Sequence, residues 1–248
     1  MALAESDVLE MAKIMSETCR QATRGGQILS LMSGLQSLLG AKAWVWGVSV
    51  TLRPDALPTW ILHRYGGFSS ESYAKFVRAQ EHPDMGEITA PFARLLMTEK
   101  CHLTRMRQQT DPEDRFAGSA ARPLWDDAGV APGIMSCRPL DSGGISVAAL
   151  FRGPREPLFS ERERKMAHIL LSEAFWLHQP EEDSVLLPAR TLSPRKLTIY
   201  NLMLQGIRRR QIAGLLNLKE NTVHSYAKDV FSHFGVHSQA ELMTRFRQ

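Results

Sequence analysis

The sequence predicts an α+β fold in two parts, an N-terminal α/β/α sandwich built on a mostly antiparallel sheet and a small C-terminal domain of four α-helices. Over residues 1–180, periodic patterns follow in the order helices, strands, helices, strands and one long helix. Residues 179–190 carry two prolines and an acidic run without helical periodicity, which is typical of a linker. Four short helical patterns fill the rest of the chain. We therefore expect domains at residues 1–180 and 191–248, joined by a linker at 181–190.

Two amphipathic helices are predicted at the start of the chain. In the first, apolar side chains recur at helical spacing at Val8, Met11, Ala12 and Met15. The second helix is expected to end at Gly40, because glycine readily adopts the left-handed backbone that closes a helix. Its apolar stripe consists of Ile28, Leu31, Met32, Leu35, Leu38 and Leu39.

The middle of the chain alternates strands with helices. Two runs rich in aromatic and β-branched residues, 44–52 and 60–65, are predicted as strands around a loop that contains two prolines. The serines of FSSES begin a helix that carries Tyr73 and Phe76, and the sequence TAP at 89–91 is predicted to open another helix. This alternation predicts helices packed on both faces of one sheet.

Two more strands and a long helix complete the predicted N-terminal domain. Asp111 is predicted to cap a helix that begins at the proline after it. Residues 134–138 and 145–152 are predicted as strands that are joined by a glycine-containing hairpin turn. The sequence SERE at 160–163 is a capping box, and it predicts the start of a helix that runs to about His178.

The composition is that of an ordinary globular protein. The chain has 248 residues, 44% of them hydrophobic and 23% charged, which argues against wholesale disorder. Its apolar runs are far shorter than the roughly 20 residues of a membrane span, and its first residues lack the features of a secretory signal. The three cysteines are far apart and form no CxxC pair, so neither a disulfide framework nor a zinc site is indicated. We expect a cytoplasmic protein without a cofactor or a bound metal.

Charge is distributed unevenly along the chain. From Arg190 onward there are ten Lys and Arg against three Asp and Glu, a net charge of +7. Residues 1–189 carry 20 basic and 23 acidic residues, a net charge of −3. A basic end of this kind binds nucleic acid, an anionic membrane surface or an acidic protein, or it is only a solvated face. Charge alone leaves these alternatives open.

The second and third helices of the basic end form a helix-turn-helix pattern. In the third helix, predicted from about Lys219 to Phe234, apolar residues lie within a narrow arc at 100° per residue. This arrangement suits entry into the major groove of DNA, where amide, hydroxyl and ammonium groups pair with base edges. The small or hydrogen-bonding side chains on the opposite side are Asn221, Ser225, Lys228 and Ser232.

Three consecutive arginines stand at the predicted start of the helix before the turn. Arg208, Arg209 and Arg210 meet the positive end of the helix dipole, where each exposed cation costs about 0.3–1 kcal/mol. A polyanion reverses this effect, because phosphates pair with guanidinium groups and with free N–H groups at a helix start. Arg210 projects opposite the apolar stripe of its helix and is the best placed to contact a DNA phosphate.

The elements QIA, ENTVH, FGV and SQAEL, within about 55 residues, resemble the LuxR-type helix-turn-helix domain of bacterial transcriptional regulators. The resemblance implies that the fourth helix lies where many members dimerise. The chain departs from the family at three positions. Lys196 stands where the family usually has Glu, Lys219 where it has Ser or Thr, and Tyr226 where it often has His. By resemblance, the positions that meet DNA are Asn221, Thr222, His224, Ser225 and Lys228.

Structural roles compete with some of these assignments. Thr222 also fits a supporting position at the start of its helix, and His224 also fits a solvated flank. Leu242 and Phe246 fit either a dimer seam or the small core of their own domain.

The predicted sandwich resembles GAF, PAS and related sensory domains, and LuxR-type modules are commonly attached to a sensory domain. Tyr73, nine positions before His82-Pro83, is similar to the Tyr…Asp-Pro segment of acyl-homoserine-lactone-binding domains, although His82 replaces the aspartate that binds the ligand amide. A ligand pocket is one interpretation of the aromatic residues, and an ordinary core is the other. The candidate ligand-binding residues are Trp44, Trp46, Trp60, Tyr65, Tyr73, Phe76 and His82.

Together these patterns predict a cytoplasmic bacterial transcription regulator that binds double-stranded DNA as a homodimer and senses a small-molecule effector. The alternative for the N-terminal domain is a ligand-independent dimerisation or protein-interaction module. RNA polymerase is a further candidate partner, and a membrane is not. The sequence contains no nucleophile elbow, phosphate loop or metal-spaced set of His and Glu, so an enzyme has no support.

Overall fold

The computed structural model describes residues 3–50, 59–140, 144–178, 192–204 and 206–246. By backbone contacts the chain divides into two compact units, Met1–Gly47 with Arg64–Gln179 and Val48–His63 with Pro180–Gln248. The boundaries predicted at residues 180 and 190 fall outside the described residues and stay a prediction.

Two helices open the first unit, α1 (Glu5–Cys19) and α2 (Arg24–Leu39). As predicted, α2 ends at Gly40, whose φ of 58° is left-handed. Of the four apolar residues predicted for the stripe of α1, Met11 is buried and Met15 packs against the core, whereas Val8 is 52% exposed and Ala12 is also exposed. Asp7 also lies on the buried side of α1, because Arg162 of a later helix pairs with its carboxylate. The buried residues of α1 are Asp7, Met11, Ile14 and Thr18.

Five strands form one sheet in the order β2-β1-β5-β4-β3. All four predicted strands are present, and the short β3 is an addition that the sequence did not predict. β3 pairs antiparallel with β4, and β4 pairs antiparallel with β5. The strands are β1 (Ala43–Val50), β2 (Thr59–Gly66), β3 (Leu103–Met106), β4 (Ala131–Pro139) and β5 (Gly144–Arg152).

An irregularity in β4 depends on a glycine. The β4–β5 register shifts between Ala131 and Ile134. A Cβ atom on Gly133, within this shift, would lie 2.2 Å from the carbonyl oxygen of Leu150. Any other residue would push the two strands apart, so glycine is required for this close approach.

Helices cover both faces of the sheet, as the predicted α/β/α sandwich requires. On one face, α1, α2 and α8 (Glu161–Glu173) enclose a hydrophobic core that includes Leu150. On the other face, α3 (Ser70–Gln80) and α7 (Arg122–Asp127) contribute aromatic rings that pack on Phe151. Adjacent residues of a strand point to opposite faces, so these two residues of β5 belong to different cores.

The helix α4 (Pro83–Glu99) begins six residues before the predicted start, and the sequence TAP lies inside it. His82 provides the N-cap: its Nδ1 accepts a hydrogen bond from the N–H of Asp84 at 3.2 Å. Pro91 has no N–H, so one backbone hydrogen bond of the helix is missing there. The apolar stripe nevertheless continues through this point with Met85, Ile88, Phe92 and Leu96.

The helix start predicted at Asp111 is wrong. The residues after it form a turn between two short helices, α5 (Arg107–Thr110) and α6 (Arg115–Gly118). The buried carboxylate of Asp111 accepts hydrogen bonds from the backbone N–H groups of Arg115 at 3.1 Å and Phe116 at 2.8 Å. Asp111 therefore caps a helix that begins four residues further on, where free N–H groups need acceptors.

The capping box predicted at the start of α8 is confirmed. The Glu163 N–H donates to Ser160 Oγ at 3.4 Å, and Glu163 Oε2 accepts from the Ser160 N–H at 2.6 Å. The end of this helix differs from the prediction. α8 stops at Glu173, and a 3₁₀-helix at Phe175–Leu177 leads to His178.

The described part of the second unit contains the four predicted helices in the predicted order. They are α9 (Pro194–Leu204), α10 (Arg209–Leu215), α11 (Glu220–Phe234) and α12 (Gln239–Phe246). Gly235, with a φ of 61°, ends α11. At the start of α12, the N–H of Glu241 donates to Ser238, and the Glu241 carboxylate accepts from the N–H of His237 at 2.8 Å.

Candidate nucleic-acid interface

α11 has a buried and an exposed side, as its periodicity predicts. Val223, Ala227 and Val230 are completely buried, and Phe234 stacks on Tyr200 of α9 with ring centroids 4.6 Å apart. This packing fixes the rotation of α11 about its axis, and the residues on the opposite side are exposed. We call these four residues the polar strip: Asn221, Ser225, Lys228 and Ser232.

Two further residues predicted to contact DNA flank the polar strip. His224 is exposed, and Thr222 is half-buried in the first turn of α11, where its N–H donates to the carbonyl oxygen of Lys219 at 2.9 Å. Lys219 occupies the N-cap position, and its side chain forms no capping hydrogen bond. The start of α11 therefore presents a cation where a Ser or Thr hydroxyl would normally accept hydrogen bonds.

The turn between α10 and α11 has a defined backbone. Asn217 adopts a left-handed conformation with a φ of 51°, and the N–H of Leu218 donates to the carbonyl oxygen of Ala213 at 2.9 Å. Arg195 of α9 donates to the carbonyl oxygen of Leu216 at 3.2 Å. These contacts hold the two helices of the helix-turn-helix pattern at a fixed angle.

The three arginines at the start of α10 lie in different environments. Arg208 is the N-cap, and its N–H donates to Gln211. The guanidinium Nη1 of Arg209 lies 2.8 Å from Nδ1 of His224. Arg210 extends into solvent with its side chain 88% exposed, and its Nε lies 3.4 Å from a carboxylate of α11. Arg210 is thus an accessible cation with a loosely held partner.

The fourth helix packs within its own unit. Leu242 is completely buried there, so this residue belongs to the core and is not an exposed dimer seam. Gln239 strengthens this attachment by donating to the carbonyl oxygens of Met203 at 2.9 Å and Ile207 at 3.0 Å. The side chain of Phe246 lies outside the described residues.

The residues predicted to line a ligand pocket do not form one set. Trp44 and Trp46, each 1% exposed, belong to the core beneath α1, α2 and α8. The Trp46 ring lies 4.5 Å from the ring of His178 in that core. These two tryptophans are separated by the sheet from the aromatic residues on its other face.

The second group of predicted ligand residues lies on the aromatic face. Tyr65 and Tyr73 stack with ring centroids 3.6 Å apart, and Phe76 packs beside them. His82 lies at the start of α4, where it caps the helix, and the side chain of Trp60 lies outside the described residues. The described members of the predicted group thus divide between the two faces of the sheet, and their role in ligand binding stays a prediction.

A ring cluster fills the space between β5, α3 and α7. Phe76 contacts Trp125 at 5.3 Å and Phe151 at 5.1 Å between ring centroids, and Phe68 adds a fourth ring. Burial raises the pKa of Tyr73 well above its usual value, so its hydroxyl is neutral. The cluster can bind an apolar molecule or serve as a core.

Sequence reasoning missed a buried polar network on the opposite face of the sheet. Ser136 Oγ lies 2.7 Å from Nε2 of His102 and 2.6 Å from the hydroxyl of Thr104. The hydroxyl of Thr104 also lies 3.0 Å from Nδ1 of His168 in α8. Thr104 and Ser136 are register partners on neighbouring strands. Hydroxyl residues at inward-facing positions of two strands are the sequence signal that could have revealed this network.

A third histidine extends this network. His178 Nε2 donates to the carbonyl oxygen of Leu171 at 2.9 Å, so its Nδ1 accepts from the hydroxyl of Ser146 at 2.9 Å. Its ring lies 5.1 Å from that of His102. Burial lowers the pKa of His178 to about 4 and that of His102 to about 3, and it also lowers the pKa of His168. All three rings are therefore neutral at physiological pH.

Neither a metal cluster nor a membrane helix is found among the described residues. No three or more His, Cys, Asp or Glu side chains of that part of the chain group as ion ligands. None of its helices has the length and apolar character needed to cross a membrane.

Comparison with known proteins identifies the C-terminal segment. Residues 190–246 match the family GerE, described as bacterial regulatory proteins of the luxR family. None of the curated proteins matches the chain significantly.

Two solved structures resemble the chain. Escherichia coli SdiA aligns with a TM-score of 0.46 and 17% identity, covering 96% of this chain and 95% of that one. CepR2 of Burkholderia cenocepacia, an N-acylhomoserine lactone dependent LuxR family transcription factor, aligns with a TM-score of 0.47 and 14% identity. That alignment covers 77% of this chain and 100% of the CepR2 chain.

Proposed function

Because residues 190–246 are a luxR-family domain of bacterial regulatory proteins, we propose that this chain is a transcription regulator that binds double-stranded DNA sequence-specifically as a homodimer. The polar strip carries the proposal. It presents amide, hydroxyl and ammonium groups directly opposite the buried side of α11. An α-helix fits the major groove of DNA, where these groups meet the donors and acceptors of base edges.

The residues of α11 take different roles in this proposal. The amide of Asn221 pairs with adenine, the ammonium of Lys228 pairs with guanine, and the hydroxyl of Ser225 pairs with either. Thr222 and His224 stand beside these residues and contact DNA at the edge of the interface. A homodimer places two such helices about one helical turn apart on the duplex.

Arg210 is proposed to contact the phosphate backbone. Its side chain is 88% exposed, and the carboxylate beside it, Glu220, is 63% exposed and 3.4 Å away. Such an exposed pair contributes little, so a phosphate can replace the carboxylate at small cost. Arg209 adds a second positive charge at the same helix start.

The N-terminal domain is proposed to regulate DNA binding in response to a small molecule. We assign residues 1–180 to this domain, 181–190 to a linker and 191–248 to the DNA-binding domain. The stacked rings of Tyr65 and Tyr73 with the neighbouring Phe76 support an apolar ligand, because aromatic side chains dominate such sites. The three free cysteines fit a reducing cytoplasm, and RNA polymerase is a candidate partner.

The alternative is a ligand-independent dimerisation or protein-interaction domain. It is favoured by the close stacking of Tyr65 on Tyr73 at 3.6 Å, which fills space that a ligand would need. The two functions differ in one measurable property. A small-molecule ligand raises the thermal stability of the domain by mass action, whereas an interaction module gains stability only from its protein partner.

Selection of binding sites from random duplex DNA with the full-length protein tests the proposed function. A consensus sequence should emerge, with two half-sites if the protein is a dimer. Asn221→Ala and Lys228→Ala should each relax specificity at one position of the half-site by about 1–3 kcal/mol. Lys13→Ala, which removes an exposed cation of α1, serves as the control and should leave the consensus unchanged.

Two results would contradict the proposal. Absence of any complex with duplex DNA at low salt would exclude DNA binding, since the phosphate contribution is largest there. An unchanged consensus in both α11 variants would exclude the polar strip as the reading surface.

A further inference from the structure

We propose that Arg209 acts through His224, holding it in one tautomer so that its Nε2–H donates to a base acceptor in the major groove. This inference rests on the proposed DNA binding and adds a specificity-determining residue, His224, and a positioning residue, Arg209. The contact that carries it is the 2.8 Å distance between Arg209 Nη1 and His224 Nδ1.

The donor and acceptor in this contact follow from the chemistry of the two groups. A guanidinium group has five N–H donors and no acceptor, so Arg209 must donate and Nδ1 of His224 must accept. An imidazole nitrogen that accepts carries no proton. The ring is then neutral, and its single proton lies on Nε2.

The position of His224 makes this proton available to DNA. His224 is exposed and lies on the flank of α11 that faces the start of α10, three residues after Asn221 and four before Lys228. Residues three and four apart on a helix are neighbours, so His224 adjoins the polar strip. Among the described residues, no hydrogen bond engages Nε2.

A neutral imidazole with Nε2–H can pair only with an acceptor at that atom. Guanine offers N7 and O6 in the major groove, adenine offers N7 and thymine offers O4, whereas cytosine offers only the N4 amine, which is a donor. The base that His224 reads should therefore be guanine first, with adenine or thymine tolerated and cytosine rejected.

The neighbouring arginine supplies a matched control. Arg209 and Arg210 are consecutive cations of one helix, but only Arg209 contacts His224, while Arg210 pairs loosely with Glu220. If both arginines only attracted phosphates, replacing either would weaken binding evenly across sequences. If Arg209 positions His224, its loss must also change preference at one base.

The first test measures the tautomer in the full-length protein without DNA. Long-range ¹H–¹⁵N correlation spectra of protein labelled at its histidines identify the protonated nitrogen of each ring, and His224→Gln assigns the signals of His224. We expect Nε2 to be protonated and the Nδ1 signal to move in Arg209→Met but not in Arg210→Met. A proton on Nδ1, or a Nδ1 signal that ignores Arg209→Met, would overturn the proposal.

The second test compares two uncharged variants that differ in donor capacity. Arg209→Gln keeps an N–H donor for Nδ1, and Arg209→Met does not. The base position read by His224 is the one at which His224→Ala flattens base preference. At this position the wild type should bind guanine about two- to tenfold more tightly than cytosine. We expect Arg209→Gln to retain this preference and Arg209→Met to lose it, while Arg210→Gln lowers affinity equally for all bases.

The outcomes separate this inference from the proposed function. Preference for cytosine at that position, or a preference that survives Arg209→Met, would overturn the role of Arg209 while leaving DNA binding intact. Failure of the wild type to bind any duplex would overturn base reading together with the proposed function, and the tautomer would still be decided by the spectra.

Discussion

Arg152 and Arg210 show that the two regions of the protein use their positive charges differently. In the N-terminal domain, Arg152 is 17% exposed and donates to carbonyl oxygens of Leu39, Pro157 and Leu158 as well as to a glutamate. In the C-terminal domain, Arg210 is 88% exposed and has one loose carboxylate neighbour. The first arginine is saturated by its own chain, whereas the second is available to a partner.

The same difference applies to the histidines. His178 is 1% exposed and hydrogen-bonded through both ring nitrogens, whereas His224 is exposed on α11. A polar group that is satisfied internally stabilises the fold, and one that is left exposed can be used for recognition. Substitutions in the two regions should therefore affect different measured properties.

The largest effect is expected for Arg152→Ala. This change removes four hydrogen bonds and the packing of the guanidinium 4.1 Å above the Phe159 ring, and it leaves the Glu163 carboxylate with Ser160 but without its arginine. We expect the free energy of unfolding, measured by urea titration, to fall by about 3–4 kcal/mol. Arg155→Ala, at an exposed arginine nearby, is the control and should change it by less than about 0.5 kcal/mol. Equal effects of both changes would remove the distinction between paired and exposed arginines.

The next largest effect concerns the pH dependence of stability. The folded pKa of His178 is about 4, below its unfolded value of 6.5, so the unfolded chain binds protons first as the pH falls. The stabilisation is fully present above pH 6.5 and declines toward pH 4, by about 3 kcal/mol for this residue. His102 and His168 act in the same direction. The positive charge of Arg138 also lowers the pKa values of His102 and His178.

Urea titrations between pH 7 and pH 4 measure this dependence. In His178→Gln the slope of stability against pH should decrease, because glutamine does not titrate. His237→Gln, at an exposed histidine of the C-terminal domain, should leave the slope unchanged. A flatter slope in the His237 variant together with an unchanged slope in the His178 variant would place the pH-sensitive group outside the buried network.

A smaller effect is expected for Arg210→Ala, and it concerns DNA affinity instead of stability. Loss of one phosphate contact should reduce the slope of log K against log salt concentration by about 1, with no change in consensus sequence. Fluorescence anisotropy at several salt concentrations measures this slope. If the unfolding free energy fell as it does for Arg152→Ala, then Arg210 would be a structural residue and the comparison would fail.

The smallest effect is expected for the ion pair between Lys196 of α9 and Asp229 of α11, 2.8 Å apart. Both side chains are partly exposed, so Lys196→Glu should lower the unfolding free energy by only about 0.5 kcal/mol. The double change Lys196→Glu with Asp229→Lys should restore most of this loss. No recovery in the double variant would show that the two charges do not interact.

The helices and strands with strong local signals were predictable from the sequence. The stop of α2 at Gly40 and the capping box at Ser160 depend only on neighbouring residues. The failures concern competing local signals, because two nearby capping residues or prolines can each start a helix. The sequence placed the start of a helix at residues 89–91, but the cap formed by His82 and Pro83 came first, and the helix continued through its internal proline. Asp111 capped a helix beyond the turn that follows it.

The candidate DNA-binding surface was more predictable than the candidate ligand site. The side of α11 follows from a period of 3.6 residues, so burial of Val223 and exposure of Asn221 could be derived from spacing alone. The faces occupied by Trp44 and Tyr73 depend on how strands and helices pack, which spacing does not contain. The contact between Arg209 and His224 joins two helices, and it likewise required the structure.

The left-handed Asn217 in the turn before α11 has a consequence for control of transcription. The backbone angle of Asn217 and the hydrogen bond from Arg195 both lie within the C-terminal domain. The helix-turn-helix is therefore a part of the protein whose shape is fixed locally. We expect an inducing signal to leave the shape of this part unchanged. Under the proposed function, the signal would therefore act on the number of copies bound to one DNA site and on the distance between them.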